Sequence, residues 1–195
     1  MKALLLILTF IISLSFTQVY GAKTPFEITI VPESQTAKIS RISVGPGSVR
    51  VFFIVLKNIT DNNQKVFESW NSWGYQSISF ELIMENGNKY YVKKKNQEFT
   101  RNAPSTYLIP PRGFKVYAIC LNEEWEGLPK FEKDGKATAK IMAIYDVVKS
   151  KESLEFGVWS GKTFSKEITV ELNYWENIVE QLNPTECQGG ATVSE

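Results

Sequence analysis

An aromatic segment between two predicted strands carries the residues with the clearest binding chemistry. Its sequence is Trp70-Asn71-Ser72-Trp73-Gly74-Tyr75. Tryptophan and tyrosine combine a large apolar face with one polar group, and such faces stack on sugar rings or fill pockets in protein partners. We therefore predict Trp70, Trp73 and Tyr75 as contact residues for a protein or a carbohydrate.

Two further tryptophans and an asparagine lie in other predicted connections. They are Trp125, Trp159 and Asn102, which precedes Ala103-Pro104. If these connections meet at one end of the fold, all three residues belong to the same binding surface. The alternative is structural: the tryptophans fill the ends of the fold and order its loops, and Asn102 hydrogen-bonds neighbouring backbone in an Asx turn.

The composition excludes several kinds of catalytic and metal site. The chain has no histidine and two cysteines. It therefore has no Ser-His-Asp or Cys-His nucleophile and no histidine-containing zinc or iron site, and two cysteines are too few for a zinc site made of thiolates alone. We expect no metal and no cofactor.

The charged residues add little chemistry. The chain has 22 Lys+Arg and 21 Asp+Glu, so it lacks the basic surplus expected of a general nucleic-acid binder. Glu123, Glu124 and Glu126 lie too close together in sequence to indicate a glycosidase pair that faces across a bond. A solvated acidic turn is the simpler interpretation, and we expect no enzyme.

Residues 1–21 follow the pattern of a signal peptide. Lys2 precedes an apolar run from Leu4 to about Phe16, and the segment ends at Gly21. Cleavage there makes Ala22 the first mature residue and leaves basic and acidic side chains equal in number. The apolar run is shorter than a bilayer span, and no later segment is long enough, so we predict a secreted or periplasmic protein with no membrane span after cleavage.

The two cysteines are a candidate disulfide in an oxidising compartment. Cys120 lies late in a predicted strand, and Cys187 lies in the polar C-terminal tail. A bridge would tie the tail to a sheet. The alternative is that Cys120 is a small buried apolar residue and Cys187 a free or intermolecular thiol.

After the leader the dominant period is two, which predicts about nine strands. Residues 49–56 are apolar on both faces, as in a strand covered on both sides, and Asn86-Gly87 predicts a type I′ hairpin turn. One short helix is predicted over 174–182. The expected fold is an all-β, antiparallel sandwich of immunoglobulin or fibronectin type at residues 22–182, with a flexible tail at 183–195. A closed barrel is the alternative.

Several short motifs resemble those of uncharacterised exported bacterial proteins with one immunoglobulin-like sandwich domain. The resemblance covers roughly residues 50–172 and rests on the aromatic segment together with four shorter motifs: Leu56-Lys57-Asn58, Ser79-Phe80-Glu81, Asn102-Ala103-Pro104 and Gly157-Val158-Trp159-Ser160-Gly161. It implies a fold and no activity. Lys57-Asn58-Ile59-Thr60 between two strands, followed by a hairpin that contains glycine, is similar more loosely to the intracellular proteinase inhibitor domain of bacilli.

These observations together predict an exported, non-catalytic binding or interaction module of unknown ligand. Its partner is a protein or a carbohydrate, without nucleic acid. Two alternatives remain: a proteinase-inhibitor-like domain, in which an inter-strand loop enters a protease cleft, and a carbohydrate-binding module that uses the loop tryptophans.

Overall fold

The computed structural model describes residues 24–35, 39–131 and 135–176. Within these ranges the chain forms thirteen strands and two short helices. The strands are β1 (Phe26–Val31), β2 (Ser34–Gln35), β3 (Ser40–Val44), β4 (Phe52–Asn58), β5 (Gln64–Phe67), β6 (Ile78–Met84), β7 (Lys89–Lys94), β8 (Thr106–Ile109), β9 (Phe114–Ile119), β10 (Trp125–Glu126), β11 (Lys136–Val147), β12 (Gly161–Phe164) and β13 (Ile168–Tyr174). The helices are α1 (Ser72–Tyr75) and α2 (Lys151–Glu155).

Three sequence predictions concern residues that the structure does not describe. The signal peptide at 1–21, the tail at 183–195 and Cys187 lie outside the described ranges. The helix predicted over 174–182 is wrong at its start, because Tyr174 is the last residue of β13; residues 177–182 lie outside the described ranges.

The strands form two main sheets and one small one. The first sheet has the order β1-β4-β9. The second is an open sheet of eight strands in the order β10-β7-β6-β11-β13-β3-β2, with β12 also paired to β11. The pairs within these sheets are antiparallel except β13 with β3, which is parallel. Strands β5 and β8 pair separately.

The inner faces of the two main sheets make a shared apolar core. The rings of Phe52 on β4 and Phe80 on β6 lie 5.6 Å apart, and those of Phe26 on β1 and Tyr145 on β11 lie 6.1 Å apart. All four side chains are almost completely buried. Full burial of one such ring contributes about 1.5–3 kcal/mol, and the contacts confirm the predicted all-β sandwich.

The strands with clear alternation appear where the sequence placed them. β6 and β11 both alternate as predicted, and Phe80 and Ile141 are completely buried on the inner face. The structure has thirteen strands where the sequence predicted about nine. Two of the extra strands, β2 and β10, have only two residues each, too few to show a period.

The structure corrects two local predictions. β4 is covered on one face only, because Phe53 remains 41% exposed while its neighbours Phe52 and Ile54 are buried. The hairpin after β6 is not type I′: Gly87 has a φ of 83°, but Asn86 does not have a positive φ. The N–H of Gly87 instead donates to Met84 O at 2.8 Å, as in a type I turn closed by a left-handed glycine.

Asn58 fixes the corner where β4 turns toward β5. Its side chain is completely buried, and its Nδ2 donates to the backbone oxygens of Asn62, Ile109 and Pro110 at 2.7, 3.1 and 3.0 Å. The Asn58-Ile59-Thr60 triplet fits the glycosylation acceptor pattern, but this buried amide cannot carry a glycan in the folded protein.

None of the helices in the described ranges has the length and apolar character needed to cross a bilayer.

Candidate functional site

The aromatic segment folds as one helical turn that is capped by a buried asparagine. Asn71 Oδ1 accepts a hydrogen bond from the backbone N–H of Gly74 at 3.0 Å, and Asn71 Nδ2 donates to Ser105 O at 3.0 Å. Gly74 lies so close to the backbone before the turn that a Cβ there would come within 2.2 Å of Glu68 O. The turn is therefore held to the body of the protein from both of its ends.

Asn102 binds this turn from a distant loop. Its Oδ1 accepts from the backbone N–H of Ser72 at 3.1 Å, and its Nδ2 donates to Ser72 Oγ at 2.8 Å. Asn102 therefore bonds a segment thirty positions away in sequence, and not the neighbouring backbone that the alternative of an Asx turn required. The structure thus brings Asn102 together with the aromatic segment.

The two tryptophans of the segment differ in exposure. Trp70 is 55% exposed. Trp73 is half-buried, with its ring 6.2 Å from that of Phe67. The indole of Trp73 also lies close enough to the carboxyl group of Glu152 in α2 to favour its charged form. The pKa of Glu152 is lowered, first by its own backbone N–H, then by Ser150, and to a smaller extent by Trp73.

Tyr75 belongs to a cluster of aromatic and charged groups at the end of β7. Lys94 Nζ lies 4.4 Å from the centre of the Tyr75 ring and 5.7 Å from that of Trp125. It also pairs with Glu124 Oε2 at 3.4 Å. Burial, and to a smaller extent the nearby charge of Glu124, raise the pKa of Tyr75. Tyr75 also meets Phe99 edge-on, with ring centres 5.5 Å apart.

A small open cleft of about 170 Å³ lies beside Tyr75. We call it the Tyr75 cleft, and it is lined by Ser72, Tyr75, Gln76, Asn96, Gln97 and Phe99. Gln76 Nε2 donates to Asn96 Oδ1 at 2.7 Å and to Lys94 O at 3.1 Å, which orients both amides at the rim. All six lining side chains are uncharged, two of them are aromatic, and three carry an amide.

The other two predicted tryptophans face the core. Trp125 is 4% exposed, and its ring lies 5.5 Å from that of Phe80. Trp159 is half-buried, 5.3 Å from Phe26 and stacked at 6.0 Å on Tyr145. Trp125 and Trp159 therefore do not join Trp70 in one exposed flat surface.

The acidic turn pairs in the structure with two lysines of β7, which are distant from it in sequence. Lys93 Nζ lies 3.2 Å from Glu126 Oε1, beside the pair of Lys94 and Glu124. Glu124 and Glu126 are therefore ion-pair partners of lysines on β7, at the place where β10 pairs with β7. In the described part of the chain, no group of three or more His, Cys, Asp or Glu side chains could hold a metal ion.

A second, larger pocket of about 440 Å³ opens near Trp125. Its walls include the stacked rings of Phe131 and Tyr174, whose centres lie 5.2 Å apart, and the side chains of Lys95 and Lys130. These residues come from connections and strand ends that lack a motif, so the sequence alone does not mark them as a pocket. This pocket is separate from the Tyr75 cleft, with which it shares no lining residue.

The residues of the site that were not predicted from the sequence are Asn71, Gln76, Asn96, Gln97 and Phe99. Asn71 was visible as a residue that could cap a helix before Ser72, but four helical residues are too few to show a helical period. Gln76 and Phe99 are ordinary loop residues until the fold places them beside Tyr75.

Cys120 is buried, and its Sγ lies 3.2 Å from Ser48 O. Because Cys187 lies outside the described residues, the Cys120–Cys187 bridge stays a prediction.

The similarities to exported sandwich proteins and to the inhibitor domain also stay predictions. No family model matches this chain, and no curated protein matches it.

Proposed function

We propose that this chain is an exported, non-catalytic binding module, and that Trp70 together with the Tyr75 cleft forms its contact surface. Export is supported by the leader pattern of residues 1–21. The observation that carries the contact surface is that a turn fixed by Asn71 and Asn102 nevertheless leaves the indole of Trp70 55% exposed.

This combination of a rigid frame and an exposed ring suits recognition. Large apolar rings are normally buried, because exposure of such a ring to water is unfavourable. A preformed turn loses little conformational entropy when a partner covers it, so more of the contact energy appears as affinity. Tryptophan is also among the residues that most often dominate binding energy at protein interfaces.

The Tyr75 cleft favours a neutral carbohydrate as the ligand. Its amide groups in Gln76, Asn96 and Gln97 can both donate and accept hydrogen bonds, which matches sugar hydroxyl groups. The rings of Tyr75 and Phe99 offer apolar surface for the C–H face of a sugar. No charged side chain lines the cleft, so it offers no cationic partner for a carboxylate or a sulfate.

A pair of matched tryptophan variants tests the contact surface. Trp70→Ala removes the exposed ring of the proposed surface, and Trp175→Ala is the control, because Trp175 is also a solvent-exposed tryptophan, at 40%, but lies just after β13. The probes are an array of neutral and acidic oligosaccharides and, for a protein partner, a photo-crosslinking amino acid placed at position 70 or 175 in the native host.

We expect binding to neutral oligosaccharides that falls at least about tenfold in Trp70→Ala and stays unchanged in Trp175→Ala. A crosslink to one cell-envelope or extracellular protein from position 70 alone would support a protein ligand at the same surface. Equal loss in both variants, or no contact that depends on Trp70 with either probe, would contradict the proposal.

A further inference from the structure

The outer face of the three-stranded sheet carries exposed apolar side chains on all three strands, beside the charged pair position of Glu27 and Lys57. Val31, Phe53, Phe114 and Val116 are 41, 41, 59 and 46% exposed. Strand register places Val31 beside Phe53, and Phe53 beside Ala118, so the apolar side chains run across all three strands. Contiguous apolar surface of this kind marks interaction sites on soluble proteins.

This face ends at the β9 edge, by which we mean the side of β9 that points away from β4. Among the residues described, no strand pairs with this side of β9. The backbone N–H of Asn58 donates to Gly113 O at 2.9 Å. Because hydrogen bonding alternates along an antiparallel ladder, every second residue of β9 has its N–H and C=O directed toward the β9 edge: Phe114, Val116 and Ala118.

The β9 edge has little of the protection that usually prevents pairing between molecules. Natural edge strands carry proline, a bulge, an exposed charge or an inward-pointing charge. β9 contains no proline, and the charge of its inward-pointing Lys115 is neutralised within the molecule. Lys115 Nζ pairs with Glu68 Oε2 at 2.6 Å, and its side chain is only 11% exposed.

We infer that two copies of this chain pair through the β9 edge as antiparallel strands, on a two-fold axis at Val116. In this register the residues with outward backbone groups pair with one another. Val116 faces Val116 of the second copy, and Phe114 faces Ala118 of the second copy, so a large side chain meets a small one on the outer face.

The inner face of the same register is also self-complementary. Lys115 lies opposite Tyr117 of the second copy, which places an ammonium group beside an aromatic ring and sets no like charges opposite each other. A two-fold interface requires one surface that complements itself, and β9 meets this requirement along its length. The pairing joins the two three-stranded sheets into one sheet of six strands.

Sedimentation velocity of the protein from cells that produce the full sequence tests this inference. Runs from about 1 µM to about 200 µM, both with and without a thiol reductant, cover weak and moderate affinities. Val116→Lys sets two ammonium groups against each other at the axis. Val31→Lys is the control, because Val31 has similar exposure on the same face but lies on β1, at the other side of the sheet.

We expect wild type and Val31→Lys to form dimers, and Val116→Lys to raise the dissociation constant at least about tenfold. Val116→Pro removes the N–H that is directed toward the second copy and leaves the ladder with β4 intact, so it should weaken the dimer in the same way. Circular dichroism of each variant verifies that the sandwich has formed.

Three results would overturn the inference. A wild-type protein that is monomeric over the whole concentration range would show that the proposed pairing does not occur. If a truncated chain that ends at Glu176 then forms dimers, the C-terminal segment occupies the β9 edge in the full-length protein. Equal weakening by Val31→Lys and Val116→Lys would indicate stacking of outer faces. A dimer that forms only without reductant would be a disulfide between copies.

Discussion

Asn71 Oδ1 accepts a hydrogen bond from the backbone N–H of Gly74, and both residues are buried. This contact converts a loop segment into a fixed helical turn. It also explains how Trp70, immediately before Asn71, can remain exposed on an ordered backbone.

Replacement of Asn71 should therefore loosen the proposed contact surface. Asn71→Ala removes the cap and leaves Ser105 O without its side-chain donor, so we expect a loss of about 2 kcal/mol in the free energy of unfolding. The measurement is urea unfolding, with Asn63→Ala as an exposed control expected to change stability by less than about 0.5 kcal/mol. Similar losses in both variants would show that the cap does not stabilise the fold.

A methyl group at Gly74 should be much less tolerated than one at Gly87. At Gly74 the new Cβ would lie 2.2 Å from Glu68 O, whereas at Gly87 nothing lies within 4 Å and only the φ of 83° is unfavourable. We expect Gly74→Ala to cost about 3 kcal/mol and Gly87→Ala about 1 kcal/mol. Thermal unfolding of both variants tests this order, and the reverse order would refute the tight packing of the turn.

The carboxyl group of Glu33 should make stability fall as pH rises. Burial raises the pKa of Glu33 above its usual 4.5, and hydrogen bonds from the backbone N–H and hydroxyl group of Ser43 offset this only in part. Between the usual and the raised pKa, the folded state holds a proton that the unfolded state has lost, so the free energy of unfolding decreases with rising pH. Below this pH window Glu33 does not lower the free energy of unfolding, and above it the decrease that Glu33 causes no longer changes with pH.

Glu33→Gln removes this titration and gives the test. From about pH 4 to about pH 7, the stability of wild type relative to Glu33→Gln should decline. Glu27→Gln on β1 is the control, because Glu27 is exposed. The expected sign is wrong if the free energy of unfolding of wild type instead increases relative to that of Glu33→Gln as the pH rises.

The exported protein should contain a Cys120–Cys187 disulfide. The end of β13 lies near Cys120, because the N–H of Trp175 donates to Val44 O at 2.9 Å and the N–H of Gly45 donates to Leu121 O at 2.8 Å. Closure of the loop would stabilise the fold by about 4 kcal/mol on the chain-entropy model. We expect no reactive thiol in denaturant without reductant and a stability loss of that size in Cys187→Ser; two reactive thiols would disprove the bridge.

Local alternation predicted much of the fold. In β6 and β11 the inward residues could be read directly, because successive side chains of a strand point to opposite faces. The two-residue strands β2 and β10 could not be predicted in this way, since two residues are too few to show alternation. Each forms only because another strand lies beside it. The outer face of β4 was misjudged for a related reason: Phe53 and Val55 look like core residues in sequence, but no layer of the described chain covers them.

The candidate site was predicted in part. The sequence picked out Trp70, Trp73, Tyr75 and Asn102, and the structure brings Asn102 to the turn that carries the aromatic residues. The sequence could not show that Trp70 is exposed and Trp125 buried, because both are tryptophans in loop-like segments with polar neighbours. Phe99 belongs to no recognisable motif and was therefore not predicted.

The sequence by itself determined the strand-rich class, the absence of histidine chemistry and the leader pattern that predicts export. These properties depend on composition and on patterns within a few neighbouring residues. Only the tertiary structure decided that Trp125 packs against Phe80, that Trp70 stays exposed and that the apolar side of β9 has no cover among the described residues. Burial depends on which distant segments pack against a side chain, and a local pattern does not contain that information.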